Sequence, residues 1–131
     1  MNAHESPRPT DAQLAILAVL WRLGPATVRQ VHEGLPESVR RGYTTTLKLM
    51  QIMTEKGLVS RDESERSHVY SAVSAEGVMQ DQLARDLVER AFEGSAAQLA
   101  MRALSLEPAS HDELEAVRRL LDELENKGGK A

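Results

Sequence analysis

Apolar residues along the chain recur at spacings of three and four, give way to a short alternating stretch, and then return to three-four spacing. Leu14, Leu17, Leu20 and Trp21, joined by Ile16, Val19 and Leu23, form a wide stripe that predicts a first helix. Thr10-Asp11-Ala12-Gln13 opens it as a capping box, and Gly24-Pro25 ends it because proline cannot continue the hydrogen-bond ladder. Val28, Val31 and Leu35 predict a shorter second helix that begins near Thr27 and stops before Pro36. Glu37 to Arg41 connects it to a third helix over Tyr43–Lys56, capped by Gly42 and closed by Gly57 in the left-handed conformation that favours glycine. Its inward positions are Leu47, Met50 and Met53 or Thr54, while Thr44, Thr45, Lys48 and Gln51 fall on another side. Leu58 to Arg61 and Ser67 to Val73 read as two short strands around the polar run Asp62-Glu63-Ser64-Glu65-Arg66, a hairpin with a charged tip.

Beyond Ser74 the pattern is helical again, which sets an expected boundary near Val73. A fourth helix over about Ala75 to Phe92 uses Val78, Leu83, Leu87 and Ala91, and a fifth over Ala96 to Leu106 stops before Pro108. Ser110-His111-Asp112-Glu113 is a second capping box, opening a helix whose Leu114, Val117, Leu121 and Leu124 make one apolar seam. Residues 1–9, with two prolines and no periodicity, read as a flexible arm, and residues 127–131 as a frayed tail. The expected organisation is thus a domain over residues 10–73 and a helical domain over 74–126. Three C-terminal helices with narrow seams cannot enclose a core as a monomer, so a partner is needed, and a second copy of the chain is the simplest.

A length of 131 residues suits one core with a helical appendage. The net charge of −4 argues against a uniformly basic nucleic-acid binder, but the charge is unevenly placed. Through Ala72 nine Lys/Arg face eight Asp/Glu; beyond it seven face twelve, so the acidic excess belongs to the C-terminal part. Arg40-Arg41 and Arg61 with Arg66 are the clusters that support phosphate contact in the N-terminal part. Cysteine is absent, which excludes disulfides, thiolate metal sites and cysteine nucleophiles. No apolar run spans a bilayer and the first residues lack a signal-peptide layout, so the protein is expected in the cytoplasm, without membrane insertion.

The order helix, helix, helix, strand, strand is that of a winged helix-turn-helix, whose third helix enters the major groove while the wing lies on the backbone. The expected fold is therefore mainly α with a small β-wing, followed by a helical dimerisation domain. Threonine hydroxyls at the start of the third helix can bond phosphates or base edges, and Lys48 and Gln51 reach further toward the bases. Against this, Thr44, Thr45 and Thr46 also suit a merely solvated first turn, and Arg66 could be an exposed charge balanced by Glu63 or Glu65. His4, His32, His68 and His111 are scattered, and His111-Asp112-Glu113 is explained as a charged first turn favoured by the helix dipole, so no metal and no cofactor are expected. No phosphate loop, nucleophile elbow or paired carboxylates support an enzyme. The reading is a DNA-binding regulator, with Thr44, Thr45, Lys48 and Gln51 toward the groove and Arg41, Tyr43 and Arg66 on the backbone. Leu83, Leu87, Leu99, Leu114, Val117, Leu121 and Leu124 would carry dimerisation. The alternative is a winged-helix protein-interaction module that does not bind DNA.

Trp21, Thr27-Val28-Arg29-Gln30-Val31, Tyr43-Thr44-Thr45, Glu55-Lys56-Gly57-Leu58-Val59, and Arg66 with Tyr70 together resemble the penicillinase-repressor (BlaI/MecI-like) family of bacterial transcriptional regulators. The resemblance runs from Leu14 to Leu124. It implies a homodimeric repressor whose winged helices occupy two half-sites of a palindromic operator and whose C-terminal helices intertwine. It also implies a membrane sensor of the zinc-metalloprotease type as partner, with release by cleavage of the repressor. Three departures stand out. Lys48 and Ile52 replace the Thr and Arg frequent in the family's recognition helix, which points to a different operator. Arg102-Ala103 occupies the candidate cleavage position where well-known members carry Asn-Phe, in the helix after the Phe92-Glu93-Gly94-Ser95 turn. The cysteine pairs of the copper-responsive branch are absent.

Overall fold

The computed structural model describes residues 8–128 and orders them as α1 (Asp11–Leu23), α2 (Val28–Gly34), α3 (Tyr43–Lys56), β1 (Val59–Asp62), β2 (Val69–Ala72), α4 (Glu76–Ala91), α5 (Ala96–Leu106) and α6 (His111–Gly128). Residues 1–7 of the expected arm and 129–131 of the expected tail lie outside the described residues. Arg8 pairs with Asp86 at 3.4 Å, and α6 runs on through Lys127 and Gly128 instead of fraying after Asn126.

The chain separates into two compact units, residues 1–86 and 87–131, rather than at Val73. The physical reason lies in α4, whose Met79 is buried in the core of the first unit and whose Leu83 packs against that core. In the first unit Ile16, Leu17, Val19 and Leu20 of α1 meet Val31 and Leu35 from α2 and its end, Met50 and Met53 of α3, and Val59 and Tyr70 of the hairpin. Withdrawing each such side chain from water is worth about 1.5–3 kcal/mol, set against the entropy of ordering the chain. Leu23, expected in the α1 stripe, is the last residue of the helix and is 51% exposed.

Polar bonds hold the three helices in register. α1 has the expected capping box of Thr10 and Gln13, and α2 has one of the same form from Thr27 and Gln30. Gln13 is itself buried, and its Oε1 also accepts from Lys56 Nζ at 3.1 Å, which ties the start of α1 to the end of α3. Arg22 Nη2 donates to the Gly34 carbonyl at 3.0 Å, and Trp21 Nε1 donates to the Ser74 carbonyl at 3.0 Å. Trp21 therefore lies half-buried against the core with its polar edge satisfied, not wholly inside it. Gly57 closes α3 with φ of 82°, and its amide N–H bonds Met53 and Thr54 carbonyls.

β1 and β2 pair antiparallel with Val59 opposite Ala72 and Arg61 opposite Tyr70. Tyr70 also exchanges backbone bonds with Ala26, at 2.8 and 3.0 Å, so the linker between α1 and α2 anchors the inner edge of the hairpin. The second unit is built differently: α5 and α6 are amphipathic, and neither has a buried residue. Ser110 and Glu113 form the expected box at the start of α6, with bonds of 2.9 and 3.1 Å.

Candidate nucleic-acid interface

The surface of the first unit that combines donors, cations and a concave shape lies between α2, α3 and the hairpin. α3 buries Thr46, Met50 and Met53, and that burial turns Thr44, Thr45, Lys48 and Gln51 outward, where all four are exposed. Ile52 and Glu55 complete this face toward its C-terminal end. A carboxylate there repels phosphate, so the cationic and hydroxyl-bearing part of the face is its N-terminal two to three turns.

The first turn of α3 is fixed by α2. His32 Nδ1 and Thr46 Oγ1 are hydrogen-bonded at 2.8 Å, which accounts for the buried hydroxyl of Thr46 and separates it from its solvated neighbours Thr44 and Thr45. The Tyr43 ring meets the His32 ring edge-on at 5.6 Å between centroids, and the Arg29 guanidinium lies 5.2 Å from the Tyr43 centroid. Tyr43 is thereby held between a histidine and an arginine with its ring still part exposed. The connector is pinned as well: Arg40 Nη2 donates to the Leu35 carbonyl at 2.7 Å and the Glu33 carbonyl at 3.2 Å. Arg41 makes only longer bonds from Nη1, 3.4 Å to the Ser38 carbonyl and 3.3 Å to the Arg40 carbonyl.

A cleft of about 430 Å³ opens where these elements face the hairpin, lined among others by Thr27, Arg29, Tyr43, Arg66 and His68. Of the residues expected from the sequence, the cleft brings together Tyr43 and Arg66; Arg41 lies on the other side of α3, at a second cavity with Thr45. Arg29 and His68 are the additions. Their signal in the sequence was only a basic residue in the first turn of a short helix and a histidine after the hairpin tip, neither of which has a spacing that marks it.

Charges on the hairpin sort themselves in a way that spacing could not reveal. Arg61 is not a free cation: its Nε and Nη2 reach Glu63 Oε2 at 2.7 and 2.6 Å. Its pKa is raised, first by the hydrogen bond with the Tyr70 hydroxyl and then by Glu63. The expected support from Arg61 is thus withdrawn. Glu63 being engaged there, Arg66 has no ion pair among the described residues. Asp62 accepts from the Ser64 amide at 2.9 Å, a bond that lowers its pKa and tightens the turn into the tip.

In the second unit Leu99, Leu114 and Val117 are half-buried, while Leu87, Leu121 and Leu124 are exposed, along with Met101, Leu104 and Leu120. Leu83 belongs to the first unit. Arg102 and Ala103 are exposed on α5, within regular helix. Among the described residues no group of acidic or histidine side chains could hold a metal, and no helix is long and apolar enough to cross a membrane.

The family described as penicillinase repressor matches residues 9–123. The transcriptional regulator BlaI of Mycobacterium tuberculosis, from strains CDC 1551 and H37Rv alike, is 34% identical over 116 residues, 88% of this chain and 83% of that protein. Two solved structures align loosely, each with a TM-score of 0.44, and add nothing to the assignment. A CopR repressor covers 50% of this chain and 96% of its own at 24% identity. MepR, a transcription regulator of the Staphylococcus aureus multidrug efflux pump MepA, covers 90% and 78% at 18% identity. With the helix order and hairpin of a winged helix and a match running from Pro9 to Glu123, the chain belongs to the penicillinase repressor family of transcriptional regulators.

Proposed function

We propose that this regulator is a cytoplasmic homodimeric repressor that reads a palindromic operator, with α3 in the major groove and the hairpin against the backbone. Thr44, Thr45, Lys48 and Gln51 supply the groove contacts; Arg41, Tyr43 and Arg66 hold phosphates, joined by Arg29 and His68 across the cleft. The observation that carries this is the exposure of four donor-bearing side chains on one face of α3, beside a cleft holding Arg29 and Arg66. The two units divide the labour: Leu87, Leu99, Leu114, Val117, Leu121 and Leu124 join two copies, and Leu83 serves the core of its own head. Two modest half-site interactions in one dimer multiply through effective concentration, which compensates for a reading head that is nearly neutral.

The family implies relief by a membrane sensor protease. Arg102 and Ala103 offer no Asn-Phe bond, and a regular helix must open locally before a protease can cut it. Incubating the full chain with such a sensor's protease domain and mapping the fragments by mass tests that step; cleavage elsewhere or none removes this position.

The function itself is tested by a shift assay on the chain's own upstream DNA. Lys48→Ala and Thr45→Ala are expected to weaken binding by about 1–3 kcal/mol each with helicity unchanged. Affinity should also fall steeply with salt as counterions are released. Salt-independent or absent binding favours the protein-interaction module instead.

A further inference from the structure

Beneath the N-terminal half of α3, on the side away from the cleft, a cavity of about 230 Å³ lies between α1, the α2–α3 connector and α3. Ile16, Leu35 and Leu49 form its apolar wall, with Ala12 and Ala15 along α1 and Val39, 43% exposed, among its lining. The pocket opens to solvent along Asp11, Ala12, Val39, Arg41 and Thr45, all exposed, while Ile16, Leu35 and Thr46 of its lining are buried. Two opposite charges also line it, Asp11 and Arg41. Asp11 is in no salt bridge among the described residues, and neither is Arg41, whose Nε and Nη2 are without hydrogen bonds there. An apolar wall, an anion and a cation together match a small molecule that carries an ammonium, a carboxylate and a bulky hydrocarbon.

We propose that this cavity binds a free α-amino acid with a bulky apolar side chain, and that its occupancy lowers the protein's affinity for DNA. The side chain rests on Ile16, Leu35 and Leu49, the ammonium faces Asp11 and the carboxylate takes the unused donors of Arg41. Coupling follows from shared residues: Arg41 and Thr45 line the cavity and are also DNA contacts in the function proposed above, on which this second half rests. By linkage, DNA weakens the ligand by the same factor as the ligand weakens DNA.

The test uses the full chain, first without DNA. Amide resonances of Ala15, Leu35 and Leu49 are followed against L-phenylalanine, phenethylamine and 3-phenylpropionate. L-Phenylalanine is expected to bind with a dissociation constant on the order of 1 mM, and each analogue, lacking one charged partner, at least about tenfold more weakly. Asp11→Asn should bring phenylalanine down to the affinity of phenylpropionate, and Ala12→Leu, which fills the cavity from an exposed helix position, should abolish binding. No shifts at millimolar phenylalanine, equal binding of the three compounds, or unchanged binding by both variants would overturn the site. The shift assay is then repeated with phenylalanine at ten times its measured dissociation constant. A weaker DNA complex supports the coupling, and an unchanged one overturns it. Absence of any DNA complex without ligand sinks the repressor reading alone, because the resonance titration does not depend on it.

Discussion

The two units draw on the same apolar residues and use them differently. From Ile16 to Met79 the first unit gathers fourteen buried apolar residues into one cluster, whereas α5 and α6 bury none, although both are amphipathic. Three helices and a hairpin surround a common centre, so a side chain such as Met50 meets neighbours from several directions. α5 and α6 have no such centre, and Met101, Leu104, Leu120, Leu121 and Leu124 stay in water. An amphipathic pattern reports which face of a helix is apolar; it does not say whether this chain supplies the cover. The contrast assigns stability to the first unit and, on the function proposed above, leaves association to the second.

The sharpest way to break that contrast is at the seam of α6. Leu121→Asp combined with Leu124→Asp should give a monomer by sedimentation and weaken DNA binding by roughly 100-fold or more, the loss of joined half-sites, with the first unit still folded. A change of similar size in stability, but none in association, is expected from Met53→Ala: about 2–5 kcal/mol by urea unfolding of the first unit. A dimer lost with Met53→Ala would blur the two roles.

Gly34→Ala probes how closely α1 and α2 approach, since a Cβ there would stand 2.9 Å from Val19 Cγ1 and 3.2 Å from Arg22 Nη2. A cost of about 1–3 kcal/mol is expected in the same unfolding experiment, and a neutral result would mean the helices part easily. The smallest effect belongs to Glu113, whose pKa is lowered chiefly by the Ser110 amide. A lowered folded value means the contribution is complete above the unfolded 4.5 and is lost as pH falls through the folded value. Amide protection at the start of α6, taken relative to the intrinsic exchange rate at each pH, should therefore fall in acid in the wild type, and much less so in Glu113→Gln.

The sequence-based expectations succeeded where local chemistry decides the outcome. Proline, glycine and capping residues fix the ends of helices, so α3 and α5 have the expected bounds and Ser110 with Glu113 starts α6 as a capping box. What stayed hidden depended on distant partners. Helical spacing cannot tell that Leu83 packs against the core of the first unit, that Glu63 takes Arg61 and not Arg66, or that His32 reaches across to Thr46. The Ala26–Tyr70 pairing was hidden for the same reason, because a single bridge leaves no alternation to read. Arg29 and His68 join the interface only once α2 and the hairpin are brought face to face.

The central claim is that the second unit completes its apolar cover with another copy of the chain and so delivers two reading heads to one operator. The mass of the complex between the full chain and its own upstream DNA, measured by native mass spectrometry or sedimentation, tests it directly. Two chains on each DNA site are expected, with no stable single-chain complex along the titration; one chain per site at full affinity would contradict the account.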